Sequence, residues 1–434
     1  MRKGDWESVF GRLEELVLAN SGEDAFEEIF KLLIAKLWDE TKNGNRAFGV
    51  ADGSTGARSA INALLKDAES QWPEVIPKPI ESRLTDAHLA VCVTALCDQQ
   101  LSETSFEVMD GVFEFLVNRA SKGAKGQYFT PRHVVDFCVR MLNPQPHELV
   151  CDPACGSGGF LVHTMQHVRG NTGNNSGVLK DYCETALWGF DFDARAVRVA
   201  KALMLFAGDG KANIYRINSL LNPFTDLFLQ DQTGQPFLTI ENVMRAHIKG
   251  FKGFDAIVTN PPFAGEIKEK HILTSYSLYK PERRLERDVL FLERCAQLLK
   301  PGGRIAIVLP HNKLGTSSWT YLREWLMREL QIIAVIGLGR HTFLPHTHQK
   351  TSVLIGIRRS KTLKQIPPEE IFFGVSERDG KDSKGQYVML PKSEENQPLW
   401  NRCDHDLSEI HAEFGRYCIQ HGIEWGAKYG SNLS

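Results

Sequence analysis

Three apolar residues, Leu149-Val150-Cys151, run directly into Asp152-Pro153-Ala154-Cys155-Gly156-Ser157-Gly158-Gly159-Phe160. This junction narrows the fold more than any other stretch of the chain. A short buried strand that opens into a glycine-rich turn and then a helix is the first unit of a strand–helix–strand crossover. Gly156, Gly158 and Gly159 let the backbone turn sharply and approach a ligand with no Cβ in the way. The helix that follows offers free N–H groups to a polar or anionic ligand. In open α/β sheets, ligands sit at the carboxyl ends of the strands, where this loop lies. Structural turns use the same residues, so the loop alone does not decide. It lacks the Gly-Lys-Ser/Thr ending of a phosphate-binding loop.

The pattern around the junction repeats. From residue 127 onward the sequence predicts further strands over 186–191, 213–218, 254–260, 304–309, 332–338 and 352–357. Helices are predicted over 194–206, 286–300 and 319–330. Val289, Leu292, Ala296 and Leu299 share one face of the second of these helices, and Pro301-Gly302-Gly303 ends it. Such alternation with short turns implies an α/β, doubly wound, Rossmann-like sheet with parallel strands. Runs such as Ile305-Ala306-Ile307-Val308-Leu309 suit strands buried on both faces.

The first 120 residues read as helical. Phe26, Ile29, Phe30, Leu33 and Leu37 form one stripe, with Glu27, Glu28 and Lys31 off it, and Phe106, Met109, Phe113 and Leu116 repeat the spacing. The small, basic segment 121–126 reads as a linker. The expected organisation is a helical N-terminal domain over 1–120, an α/β domain over 121–360 and a polar C-terminal tail over 361–434 with a helix near 407–419. A length of 434 residues with 42% apolar content supports two or three such bodies with large cores.

The formal net charge of −2 does not suit a free-standing nucleic-acid binder, which is usually basic. A local basic groove or a basic partner subunit remains compatible with it. The nine cysteines show no paired metal spacing, and Met1-Arg2-Lys3-Gly4-Asp5 is no secretory signal. They read as reduced thiols of a cytoplasmic protein. No apolar run approaches the roughly 18 residues of a membrane span.

Two further segments give the glycine loop a chemistry. Gly189-Phe190-Asp191 closes the second predicted strand with a carboxylate that can accept both ribose hydroxyls of a nucleoside, although Asp193 and Asp191 also fit an ordinary helix cap. Asn260-Pro261-Pro262-Phe263 closes the fourth. An exocyclic amino group on a flat ring such as adenine is a poor nucleophile, because its lone pair is delocalised into the ring. The Asn260 side-chain carbonyl and the Pro261 backbone carbonyl can each accept one amino hydrogen and draw the nitrogen out of plane. The two prolines stiffen that geometry. Phe263 can stack on a base taken out of its helix.

These segments resemble the N6-adenine DNA methyltransferases, and among them the modification (M) subunits of type I restriction-modification systems. Gly126-Gln127-Tyr128-Phe129-Thr130-Pro131-Arg132 looks like the cofactor motif that precedes the glycine loop in that group. The resemblance implies S-adenosylmethionine as cofactor. It assigns Gln127, Tyr128, Phe129, Thr130, Pro131 and Arg132 to cofactor binding, together with Asp152, Ala154, Gly156, Ser157, Gly158, Gly159, Asp191 and Asn218. It assigns catalysis to Asn260, Pro261, Pro262 and Phe263. Asn218 stands where the family often has an acidic residue. The short tail after Arg359 leaves no room for a target-recognition domain. The resemblance therefore implies double-stranded DNA as substrate, a separate specificity subunit and two M subunits per complex, and it leaves a restriction subunit open.

Arg283, Arg284 and Arg287, just past the catalytic segment, read either as phosphate contacts or as a solvated helix start. His341, His346 and His348 match no zinc spacing and read as an ordinary loop that can border the target pocket. Two other readings stay open: the same chemistry on an RNA base or a protein amide, and a non-catalytic DNA-binding subunit that keeps the fold.

Overall fold

A computed structural model of the chain describes residues 9, 11–15, 21–42, 48, 56–98, 100–101, 109, 111–113, 129–173, 176–207, 213–223, 238–263, 265–391 and 397–425. In chain order the main helices are α1 (Ala25–Lys42), α2 (Ala57–Gln71), α3 (Asp86–Cys97), α4 (Arg132–Leu142), α5 (Gly159–Asn171), α6 (Ser176–Thr185), α7 (Ala194–Ala207), α8 (Ile240–His247), α9 (Arg287–Leu298), α10 (His311–Gly315), α11 (Thr320–Glu329) and α12 (Leu407–Gln420). The strands are β1 (Val150–Asp152), β2 (Leu187–Asp191), β3 (Asn213–Arg216), β4 (Phe254–Thr259), β5 (Leu299–Pro310), β6 (Leu330–Gly337), β7 (Thr351–Arg358) and β8 (Phe372–Val375). The chain forms two compact units, one of residues 1–123 with 194–211, the other of 124–193 with 212–434.

The first unit is helical. The expected stripe of α1 is buried, with Phe26, Ile29, Phe30, Leu33 and Leu37 all at or below 5% exposure. Glu28 and Lys31 lie off that stripe, yet they are buried too. The Lys31 ammonium reaches Glu28 at 2.9 Å and the Glu81 carbonyl at 3.0 Å, while Ser82 Oγ donates to Glu28 at 2.5 Å. Periodicity could not show this, because the partners arrive from a distant segment that satisfies both charges. Helix α7, which links β2 to β3 in the chain, groups with this unit. Arg198 donates to Glu27 at 2.6 Å and Lys201 to Glu74 at 2.8 Å.

The second unit is built on one eight-stranded sheet of order β3-β2-β1-β4-β5-β7-β6-β8. Its strands are apolar on both faces, as in the run Ile305-Ala306-Ile307-Val308-Leu309, every residue of which is at or below 1% exposure. Parallel pairing runs from β3 across to β5 and again between β6 and β8. The expected parallel sheet has one exception: β7 runs antiparallel between β5 and β6. A parallel return needs a crossover, usually a helix, and the segment 338–350 forms none. Residues past Arg359 add β8 to the sheet edge and bury Trp400, Leu407, Phe414 and Trp425.

Strand order reverses at β1. The chain leaves β1 for β2 on one side, and β4 pairs with β1 on the other. That switch point is where a doubly wound sheet opens a crevice. Arg304, at the other end of β5, holds the frame beneath it. Its guanidinium grips Glu148 through Nη1 at 2.8 Å and Nη2 at 2.6 Å, and donates to the carbonyls of Leu142 and Asn143 at 3.2 Å each. Both partners are below 10% exposure. Removing one member of a buried pair strands the other charge. Glu148→Ala should therefore destabilise the second unit by about 3 kcal/mol or more in urea unfolding, whereas an exposed control such as Glu413→Ala should cost roughly 0.5 kcal/mol or less.

Candidate functional site

The glycine loop leaves β1 at Asp152 and enters α5 at Gly159. Gly156 and Gly158 adopt φ of 51° and 86°. Those left-handed conformations favour glycine, and a Cβ added at Gly156 would meet nothing within 4 Å. Gly156 thus faces open space, while Gly158 is buried. Gly159 has a different reason: a Cβ there would overlap the Arg132 guanidinium, which is 6% exposed. Gly189 on β2 keeps room for Leu161 and Cys155, the nearest at 2.6 Å from an added Cβ.

Asp191 fastens the loop to β2. Its Oδ2 accepts the Gly156 N–H at 2.9 Å and its Oδ1 the Asp193 N–H at 2.8 Å, while the Phe190 carbonyl accepts the Cys155 N–H at 2.9 Å. Burial raises the Asp191 carboxyl above its usual range, and the Asp193 and Gly156 N–H groups oppose that shift. Each oxygen keeps lone-pair capacity for a further donor. Asn218, past β3, accepts the Leu220 N–H at 3.1 Å and closes a local turn. Ser157 is buried and Ala154 half-buried in the same loop.

The Asn260-Pro261-Pro262-Phe263 segment leaves the neighbouring strand at the same end. Thr259, the last residue of β4, donates its hydroxyl to Asp152 Oδ1 at 2.7 Å, and the Ala154 N–H reaches the same oxygen at 3.0 Å. Asp152 Oδ2 is buried with no hydrogen-bond partner among the described residues. Burial dominates, so the carboxyl is pushed up to about 7. Asn260 follows. Its Nδ2 donates to Thr130 Oγ1 at 2.8 Å, and its Oδ1 is buried without a partner among the described residues. Pro261 and Phe263 are buried and Pro262 is half-buried.

The structure thus brings Thr130, Asp152, Gly156, Asp191 and Asn260 into one continuous set of contacts. Phe129 and Thr130 are half-buried, and Pro131 and Arg132 begin α4. Gln127 and Tyr128 lie outside the described residues. Two residues that sequence reasoning did not single out also belong here. Phe343 packs against Phe263, with ring centroids 6.0 Å apart and planes at 62°. Asp379 holds the segment carrying Phe343, accepting the His341 N–H at 3.0 Å and the Thr342 hydroxyl at 3.3 Å. No local pattern marks either, since both act across long sequence separations.

The three arginines divide. Arg283 stacks over the Tyr321 ring at 3.5 Å, Arg284 is exposed, and the Arg287 N–H donates to the Gly265 carbonyl at 3.0 Å. Beside them Lys313, 1% exposed, lies 3.0 Å from Glu286 and 3.6 Å from Asp288 and sits over the Trp319 ring at 3.8 Å. This buried cluster fastens α10 to the start of α9.

Comparison with known proteins gives this geometry a family. The pattern of the N-6 DNA methylases matches residues 104–397. The EcoEI type I restriction enzyme methylase subunit of Escherichia coli is 28% identical over 262 residues, covering 60% of this chain and 47% of its own length. The StySPI type I methylase subunit of Salmonella potsdam is 28% identical over 250 residues, covering 57% and 43%. The chain therefore spans about half the length of the curated relatives it matches. Among solved structures, the type I methyltransferase subunit of Streptococcus thermophilus superposes with a TM-score of 0.60 at 14% identity, over 96% of this chain and 94% of that one. A modification subunit assigned to a type I restriction enzyme of Vibrio vulnificus gives 0.64 at 18% identity, over 97% and 90%. At these identities the superpositions speak for the fold alone.

The Asp152 carboxyl yields a pH signature. Its folded value of about 7 lies above the ordinary 3.8. Its contribution to stability is therefore full below pH 3.8 and is lost as pH rises through about 7. Between about pH 5 and pH 8 the wild type should lose on the order of 1–3 kcal/mol that Asp152→Asn does not lose. Urea unfolding across that window measures the difference. Parallel pH profiles for the two proteins would show that Asp152 does not titrate there.

Proposed function

The chain belongs to the N-6 DNA methylase family, and we propose that it transfers a methyl group from S-adenosylmethionine to N6 of adenine in DNA, as the modification subunit of a type I restriction-modification complex. One observation carries this reading. Asn260 Oδ1 is a buried acceptor without a partner among the described residues, at the end of β4 beside the glycine loop. Such an acceptor costs stability unless a ligand supplies the donor. An exocyclic amino group supplies it. Asn260 Oδ1 and the Pro261 carbonyl each take one amino hydrogen, and the lone pair gathers on the nitrogen. Pro261 and Pro262 have no N–H to compete for those acceptors and hold φ fixed. Phe263, with Phe343 against it, offers an apolar wall to a flipped base.

The cofactor fits what the residues present. Gly156 faces open space, α5 begins directly after Gly158, and Asp152 Oδ2 is a buried oxygen with no hydrogen-bond partner among the described residues. The residues that would hold S-adenosylmethionine are Asp152, Ala154, Gly156, Ser157, Gly158 and Gly159 of the loop, Asp191 and Asn218 at the ends of the next strands, and Gln127 to Arg132 before α4. When bound it supplies an electrophilic methyl group. The protein's part is to place N6 against it, and positioning of this kind supplies much of the rate.

Partners follow from the same reading. Sequence recognition falls to a specificity subunit, with two modification subunits per complex. Residues 1–120 serve to close around double-stranded DNA and residues 361–434 to contact a subunit. No helix of the described residues is long and apolar enough to cross a membrane, in keeping with a cytoplasmic enzyme.

Asn260→Ala provides the test. In assays of the chain with a specificity subunit, this variant should lose about a hundredfold or more in kcat for methyl transfer to DNA. Calorimetry should show wild-type affinity for S-adenosylmethionine. An unchanged kcat would remove Asn260 from catalysis and overturn the mechanism.

A further inference from the structure

Thr130 was expected among the cofactor ligands, yet its hydroxyl is engaged by the catalytic amide: Asn260 Nδ2 donates to Thr130 Oγ1 at 2.8 Å. The backbone on both sides of that bond is restricted. Thr130 precedes Pro131 and Asn260 precedes Pro261. A residue before proline is held in extended conformations. Thr130 is also β-branched and stiff at χ1, and Pro131 is locked in turn as the cap of α4 at φ −55°, ψ 138°. The position of the hydroxyl is therefore set by chain geometry.

What chain geometry does not set is the Asn260 amide. The last torsion of an asparagine is broad and nearly two-fold. Only one of its two senses presents a carbonyl to an incoming amino group; the other sets donor against donor. In the structure the Nδ2 edge is tied to Thr130 and Oδ1 is the atom left without a partner among the described residues.

We propose that Thr130 is a positioning residue for catalysis: its hydroxyl holds the Nδ2 edge of Asn260 so that Oδ1 faces the substrate amino group. The proposal rests on the methyltransferase reading above. It moves Thr130 from cofactor affinity to turnover, and it makes the Thr130-Pro131 pair the structural counterpart of Asn260-Pro261. The hydroxyl is the operative group, so Ser can replace Thr where Val, of the same shape, cannot.

Two readouts test it. In the ligand-free chain, selective labelling of asparagine should show one Asn260 side-chain amide proton protected from exchange in the wild type and in Thr130→Ser. That protection should be absent in Thr130→Val, with the three proteins sharing one circular dichroism spectrum. In methyl transfer to DNA, Thr130→Val should lower kcat about tenfold with the Kd for S-adenosylmethionine unchanged, and Thr130→Ser should recover most of the loss. Equal amide protection in Thr130→Val overturns the proposal whatever the enzyme does. So does a rise in the cofactor Kd with kcat unchanged, which would make Thr130 a cofactor ligand only. A wild-type chain with a protected amide that methylates no DNA would overturn the proposed function and leave the hydrogen bond established.

Discussion

A single buried hydroxyl ties the two halves of this site together. Thr259, at the tip of β4, donates to Asp152, at the tip of β1. The bond crosses between neighbouring strands at the point where strand order reverses. One strand carries the glycine loop and the other carries Asn260, so this contact fixes the two segments relative to each other. Its environment makes it strong and costly at once. Asp152 is fully buried, one oxygen takes two hydrogen bonds, and the other takes none. A carboxylate in that state is poised for a ligand with a donor or a positive charge, because either would relieve its desolvation.

Around that contact the fold repeats one device: a side chain from one segment accepts hydrogen bonds from the backbone of another. Asp191 does so for the glycine loop and for the turn after β2. Asp379 does so for the segment bearing Phe343, and Asp406 in turn accepts the N–H groups of Glu377 and Arg378 just before it. A buried carboxylate with several N–H donors fixes a loop more closely than apolar packing does, since hydrogen bonds are directional. Loops at the carboxyl ends of strands carry the chemistry of such folds.

Much of this was legible in the sequence, and the limits have physical causes. The strands β1, β2, β4, β5, β6 and β7 are runs of apolar residues buried on both faces, and each was predicted within a few residues of its ends. Strand β8 was missed. It is four residues long at the sheet edge, and Phe373 and Val375 face solvent. Helix α8, only 8 residues long between β3 and β4, was also missed. The antiparallel course of β7 depends on how a loop returns, which no run of side chains records. The segments Asp152 to Gly159 and Asn260 to Phe263 were the most legible, since both have strict local requirements. Phe343, Asp379 and the Thr130–Asn260 bond were hidden, because they exist only once distant segments meet.

The account as a whole turns on one claim: the acceptor at Asn260 takes the exocyclic amino group of adenine in DNA. Nucleoside mass spectrometry tests it most directly. Unmethylated duplex DNA is incubated with the chain, its specificity subunit and isotopically labelled S-adenosylmethionine, then digested to nucleosides. The account predicts label in N6-methyldeoxyadenosine alone. Label in methylated cytosine, label recovered only when RNA or protein is offered, or no label in DNA with S-adenosylmethionine shown to be bound would each contradict it.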